Sequence, residues 1–117
     1  RELSIDLAKE VIFGSSNFDD GSLISIDEIK KAVSSKLKIS IELMESKVRK
    51  HEIAFARQMA IFLAKQFTDL SLKQIGAAFG GRDHSTVLHS CQAIDNYLAT
   101  DRSVRKIYEE LVNQLKR

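Results

Sequence analysis

The chain contains no proline, no tryptophan, only five glycines and a single cysteine among its 117 residues. Proline would break a helix interior, so its absence favours long uninterrupted helices. The one cysteine, Cys91, cannot form an internal disulfide, which fits a reducing compartment. No apolar run approaches the roughly 20 residues of a membrane-spanning helix. These absences predict a mostly helical, cytoplasmic domain.

Basic residues are concentrated in one part of the chain, although the net charge is only +2. Residues 47–86 carry seven Lys and Arg side chains against three Asp and Glu, whereas residues 1–46 carry six against nine. A concentrated positive surface is typical of proteins that bind phosphate groups. A solvated surface on an ordinary helical domain would explain the same charge pattern, so charge alone does not decide between the two.

One stretch, residues 71–94, has the pattern of two helices joined by a tight turn. Ser71 and Gln74 form a capping box, and Gly80-Gly81 predict the end of the first helix because glycine readily adopts the left-handed conformation. Asp83 is expected to cap the second helix. Its apolar stripe would consist of Val87, Cys91, Ile94 and Leu98. This is the plan of a helix-turn-helix, whose second helix enters the DNA major groove by its N-terminal end.

Polar side chains at that N-terminal end are candidates for contact with DNA. The Asp83 carboxylate can accept a hydrogen bond from the amino group of cytosine, or it can serve only as the helix cap. His84 can donate to a base edge or lie against a thymine methyl group. Ser85 and Thr86 can bond to bases or phosphates, and Arg82 is expected to contact phosphate beside the helix N-terminus.

The remaining sequence predicts further helices and an all-α fold. Patterns of apolar residues predict helices at residues 3–13, 25–37, 52–67 and 101–116, with a short helical turn after Ser40. Residues 14–24 are predicted to be a loop, as are the basic residues 46–51. The helix at 52–67 is apolar almost all round and should be central, with Phe55, Phe62 and Phe67 in the core. We predict a Trp-repressor-like bundle of about six helices that contains the helix-turn-helix.

The segment GGRDHSTVLHSC, residues 80–91, resembles the C-terminal DNA-binding domain (domain IV) of the bacterial DnaA family of chromosomal replication initiators. The similarity extends over residues 24–40 and 56–80, and more loosely over the last helix. It implies a helix-turn-helix domain at residues 23–117, preceded at residues 1–22 by a linker helix and hinge from an ATPase domain. We therefore expect a non-enzymatic piece of a longer protein, whose ATP or ADP and Mg²⁺ belong to the ATPase domain.

The resemblance also implies a function and a set of contacts. It implies sequence-specific binding of double-stranded DNA at boxes of the TTATNCACA type in the replication origin, and action at promoters. It assigns base contacts in the major groove to Asp83, His84 and Ser85, and in the minor groove to the loop residue Arg49. The DNA backbone contacts that it implies are those of Arg57, Gln58, Lys65, Lys73 and Thr86. Lys50, Leu72 and Arg82 complete the predicted set of backbone contacts.

The resemblance implies that the full-length protein self-assembles at the origin. The helix predicted at residues 3–13 is short and amphipathic, so contact with acidic phospholipids near residues 1–22 is an alternative role for it. Three positions depart from the family pattern. His51 stands where a second loop arginine is common, and Ala56 stands where proline is common. Ser85 replaces a threonine, so a methyl contact to thymine is expected to be lost.

The residues also bear on other classes of function. A protein-interaction domain could use the same helical bundle and touch DNA only incidentally. An enzyme is disfavoured, because Asp83, His84 and Ser85 are adjacent on a helix and cannot face one another as a hydrolase triad. A metal site is disfavoured too, because His84, His89 and Cys91 match no zinc-ligand spacing.

Overall fold

The computed structural model describes residues 24–116, which form six α-helices and no strand. The helices are α1 (Ile26–Leu37), α2 (Ile41–Glu45), α3 (His51–Phe67), α4 (Leu72–Ala78), α5 (His84–Thr100) and α6 (Arg102–Leu115). The predicted all-α bundle with a helix-turn-helix is confirmed. The predicted helix at residues 3–13, the linker and the lipid contact at residues 1–22 lie outside the described residues. Among the six helices, none is long and apolar enough to cross a membrane.

Side-chain caps define the helix starts that the sequence predicted. The Ser25 Oγ accepts from the Glu28 N–H at 3.1 Å, and the Glu28 carboxylate accepts from the Ser25 N–H at 3.0 Å. Ser71 and Gln74 form the same reciprocal pair at the start of α4. Helix α3 departs from the prediction, because it begins at His51 with Lys50 in the cap position and without a side-chain cap. The basic loop therefore ends one residue earlier than predicted.

Helix α3 is the centre of the bundle, as its apolar composition predicted. It packs against α1, α2, α4 and α5. Its alanines at positions 56, 60 and 64 are fully buried, and such small side chains let neighbouring helices approach closely. Phe55 packs edge-to-face on Tyr97 of α5, and Phe62 packs in the same way on Tyr108 of α6. Phe55, Phe62 and Phe67 are partly buried and pack against the buried core.

The turn between α4 and α5 depends on close backbone packing. Gly80 and Gly81 have φ values of 88° and 75°, the left-handed conformation predicted for them. Inside α4, a Cβ at Gly76 would lie 2.0 Å from the carbonyl oxygen of Arg82. The Arg82 N–H donates to the Gly76 carbonyl at 2.9 Å. The start of α5 is therefore held directly against α4, and this contact sets the angle between the two helices.

Replacing Gly76 with Ala should destabilise the domain, although alanine is the better helix former by about 1 kcal/mol. The added methyl group would force apart the backbone of α4 and the turn, and overpacking of this kind costs about 1–3 kcal/mol. Urea unfolding followed by circular dichroism measures the change. The control is Ala77→Gly at the neighbouring exposed position, where the helix loses stability by about 1 kcal/mol through propensity alone. A stabilised Gly76→Ala variant would contradict the close packing.

Candidate nucleic-acid interface

The N-terminal end of α5 protrudes from the bundle with its polar side chains exposed. Asp83 is the N-cap residue, and its carboxylate accepts from the Thr86 N–H at 2.9 Å. His84, Ser85 and Thr86 are exposed, whereas Val87 is fully buried and anchors the first turn of α5 in the core. The sequence allowed two roles for Asp83, capping the helix or accepting a hydrogen bond from a base. The structure shows that Asp83 caps the helix. The cap uses one carboxylate oxygen.

An open groove of about 390 Å³ separates the start of α5 from α4. Its lining residues are Lys73 and Ala77 of α4 together with Gly81, Arg82, Asp83 and His84. Lys73 is exposed, so a cation lies across this groove from the polar residues of the recognition end. The fold thereby brings Lys73, a predicted contact to the DNA backbone, close to His84, a predicted contact to a base, although the two are about ten residues apart in the chain.

Arg82 differs from its prediction as a free phosphate ligand. Its guanidinium donates to the carbonyl oxygens of Phe79 and Ser46, the latter at 2.7 Å. Partial burial lowers the pKa of Arg82 below its ordinary value. The side chain is thus engaged in holding the turn against the end of α2, rather than extended into solvent.

Arg57 also departs from its prediction as a backbone contact. Its side chain is buried, at 7% exposure. Nε donates to the Met44 carbonyl at 2.7 Å. Nη2 lies within hydrogen-bond distance of the carbonyls of Leu43, Ser46 and Val48. Burial, and then the nearby charge of Arg82, lowers the pKa of Arg57. A guanidinium that is enclosed in this way shapes the loop by holding its main-chain carbonyls.

The other predicted contacts lie on the loop, on α3 and on α4. Arg49 and Lys50 are exposed on the loop between α2 and α3. Lys65 is exposed and Gln58 is half-buried, and their spacing of seven residues puts both on one face of α3. Leu72 packs against the core with its side chain, so only its main chain, in the first turn of α4, is suited to a phosphate contact.

Lys30 was missed by sequence reasoning. It lies on α1 at 5% exposure, and its ammonium donates to the Glu45 carboxylate and to the Ala78 carbonyl, each at 2.5 Å. The same ammonium lies 4.8 Å from the ring centroid of Phe79. Lys30 therefore ties α1 to both α2 and the end of α4. The partners of Lys30 are 15 and 48 residues away in the chain. The residues next to Lys30 in the sequence therefore give no sign of this role.

The comparisons with known proteins agree with this geometry. The family model described as "Bacterial dnaA protein helix-turn-helix" matches residues 26–94, which include α1 to α4 and the first part of α5. The chain belongs to this family. It is therefore a DNA-binding helix-turn-helix domain of the DnaA type.

Two relatives illustrate the similarity. The chromosomal replication initiator protein DnaA of Flavobacterium psychrophilum is 38% identical over 117 residues, an alignment that covers 98% of this chain and 24% of the relative. The protein of the same name from Chromobacterium violaceum is 46% identical over 93 residues, which cover 80% of this chain and 20% of the relative. The chain thus spans between about a fifth and a quarter of the length of these relatives.

Replacing Arg57 with Met should destabilise the domain by about 3 kcal/mol, because the carbonyls of Leu43, Met44 and Val48 lose their charged donor in a buried site. Chemical denaturation measures the effect. The matched control is Arg105→Gln, since the exposed guanidinium of Arg105 also donates to a carbonyl, that of Leu98. Its loss should cost about 0.5 kcal/mol or less. Equal effects of the two changes would contradict the structural role of Arg57.

The Asp83 cap predicts a pH dependence of stability. The hydrogen bond from the Thr86 N–H holds the pKa of Asp83 below its ordinary value. A depressed pKa stabilises the fold above the unfolded pKa of about 3.9, and this contribution disappears as the pH falls through the folded pKa. Asp83→Asn keeps an acceptor but does not titrate there. The stability advantage of the wild type over Asp83→Asn should therefore shrink between about pH 5 and pH 2 in thermal melts.

The control for this measurement is Asp101→Asn. Asp101 caps α6, and hydrogen bonds from Ser103 and Val104 lower its pKa in the same way. It should therefore show the same pH trend, at a site on a different helix. A difference between wild type and Asp83→Asn that stays constant with pH would show that the Thr86 hydrogen bond does not favour the ionised carboxylate.

Proposed function

We propose that this domain binds double-stranded DNA with sequence specificity at boxes of the TTATNCACA type in the replication origin. The observation that carries the proposal is the exposed polar end of α5, which projects from a packed core beside exposed cations. The family assignment supports origin binding. Action at promoters, where the same box sequences would recruit the domain, is a further part of the proposal.

The N-terminal end of α5 reads the bases in the major groove in this proposal. His84 and Ser85 are exposed in its first turn, and the N-terminal end of a recognition helix is the part that meets base edges. Asp83 uses one carboxylate oxygen for the cap, which leaves the other oxygen available to the amino group of cytosine. Capping and reading are therefore compatible in one carboxylate.

Residues on α3, on α4 and on the loop before α3 bind the DNA backbone in this proposal. Lys65 on α3, Lys73 on α4 and Lys50 in the loop are exposed cations. Thr86 and Gln58 add neutral hydrogen-bonding groups, and the first turn of α4 at Leu72 offers main-chain N–H groups to a phosphate. Arg57 and Arg82 are left out of this set, because their guanidinium groups donate to main-chain carbonyls.

Reading of the minor groove falls to Arg49. It is exposed on the loop before α3, a position from which an arginine can enter a groove adjacent to the one occupied by α5. The narrow minor groove of A·T-rich DNA concentrates negative potential and attracts arginine. The TTAT part of the box would supply such a groove.

The properties of a full-length protein extend the proposal beyond this domain. On the family resemblance of its sequence, such a protein would act in the cytoplasm and carry an ATPase domain that holds ATP or ADP with Mg²⁺. It would assemble on itself at the origin and contact acidic phospholipids through the segment near residues 1–22. This domain would then deliver the ATPase to its DNA sites.

Replacing His84 with Ala should lower affinity for a box duplex by about tenfold and leave affinity for a scrambled duplex unchanged, because one base contact is worth about 1–3 kcal/mol. Lys65→Gln should weaken binding to both duplexes by a similar factor. It should also reduce the slope of log K against log salt by about 1, because one phosphate contact is lost. Fluorescence anisotropy over a series of salt concentrations measures both effects.

The control is Lys106→Gln on α6, an exposed lysine outside the proposed interface, which should leave both affinities unchanged. Similar behaviour of the His84 and Lys65 variants would refute the division between base reading and backbone contact. Equal binding of the wild type to box and scrambled duplexes at physiological salt would favour a protein-interaction domain instead.

A further inference from the structure

One main-chain oxygen binds two arginines from different parts of the domain. The Ser46 carbonyl accepts from Nη2 of Arg57 at 2.9 Å and from Nη2 of Arg82 at 2.7 Å. Ser46 ends α2 and lies three residues before Arg49, whereas Arg82 lies in the turn two residues before His84. The bond between Arg82 and Ser46 therefore joins the loop of the minor-groove candidate to the start of the recognition helix.

Other contacts strengthen the same junction. Lys47 Nζ donates to the Gly80 carbonyl at 3.1 Å. A Cβ at Gly80 would lie 2.2 Å from the carbonyl oxygen of Glu45, so the turn rests directly on the end of α2. The Lys30 ammonium binds both the Glu45 carboxylate and the Ala78 carbonyl. The loop and the turn are thus attached to each other through side chains and backbone, and not only through the core.

We propose that Arg82 is a positioning residue that sets the location of Arg49 relative to the recognition helix, so that both grooves are read in one register. The proposal deepens the proposed function and rests on it. In this role Arg82 contributes to minor-groove recognition only through Arg49. Replacing Arg82 therefore abolishes the contact that Arg49 makes in the minor groove.

The chemistry of the junction requires arginine. The guanidinium binds the Phe79 and Ser46 carbonyls at the same time through different nitrogens, which its planar fork allows. A lysine at this position has one nitrogen on a flexible stem, so it keeps the charge but does not hold both carbonyls in a fixed geometry. Arg82→Lys therefore separates a positioning role from a phosphate contact, because a phosphate contact depends mainly on charge.

The test uses the 117-residue chain and two labelled duplexes, one with a single box and one in which diaminopurine replaces every adenine of that box. Diaminopurine adds an amino group in the minor groove and leaves the major-groove edge of the base unchanged. The wild type should bind the substituted duplex about tenfold more weakly, because Arg49 loses its groove, while Arg49→Ala should discriminate by about twofold or less.

Arg82→Lys should behave like Arg49→Ala: weaker on the normal box and nearly insensitive to diaminopurine. The double variant should bind the normal box within about twofold of Arg49→Ala, because the two changes remove one shared contact. The matched control is Lys73→Gln, an exposed cation of α4, which should weaken binding yet keep the full discrimination. Circular dichroism checks folding, and Arg82→Gln carries the same comparison if Arg82→Lys does not fold.

Full discrimination by a folded Arg82 variant would overturn the positioning role, and a loss that simply multiplies with that of Arg49→Ala would do the same. A wild type that does not discriminate between the two duplexes would overturn this proposal together with the minor-groove part of the proposed function. Binding of the wild type to box over scrambled duplex would still stand in that case, so the two failures are distinguishable.

Discussion

The recognition helix of this domain depends on the direct packing of its leading turn against the backbone of α4. Gly76 provides the space, since a side chain there would overlap the Arg82 carbonyl, and the Arg82 N–H bonds to the carbonyl of that same glycine. Gly80 provides a second close approach, to the end of α2. Because interiors are close-packed and deform little, these two contacts fix the direction in which α5 leaves the bundle. The exposure of His84 and Ser85 follows from that direction.

Local signals predicted most of the fold, because they are determined by neighbours in the chain. The capping box of Ser71 and Gln74 and the Asp83 cap involve partners three residues apart, and each is present as predicted. The paired glycines end α4 by adopting positive φ, a property of the residue type itself. The start of α3 was misplaced by one residue, because Lys50 makes no cap bond that the sequence could signal. Helix boundaries without a specific cap are the least determined part of such a pattern.

Burial of cations was the part that the sequence could not predict. Arg57 and Arg82 look like surface residues, because arginine is seldom buried unless its donors are satisfied. The acceptors of Arg57 are main-chain carbonyls 9–14 residues away, and Arg82 binds the Ser46 carbonyl 36 residues away besides the nearby Phe79 carbonyl. No local pattern reveals the distant acceptors. Lys30 is similar, with partners 15 and 48 residues away. The function of Arg57 and Arg82 depends on which carbonyls the folded loop brings within reach, and that information appears only in three dimensions.

The basic excess of residues 47–86 is therefore divided between two tasks. Its five exposed cations are Lys47, Arg49, Lys50, Lys65 and Lys73. These can release counterions from DNA, which is the source of salt-dependent affinity. Arg57 and Arg82 donate to main-chain carbonyls, and they approach each other closely enough that Arg82 contributes to the lowered pKa of Arg57. The two guanidinium groups on the Ser46 carbonyl repel each other, and this repulsion opposes folding. Their hydrogen bonds to that carbonyl hold the loop and the turn in a fixed relative position. A count of basic residues in this segment is therefore larger than the number of cations exposed for contact with phosphate. The two remaining arginines act on DNA recognition indirectly, by holding the loop and the turn that carry the base-reading side chains.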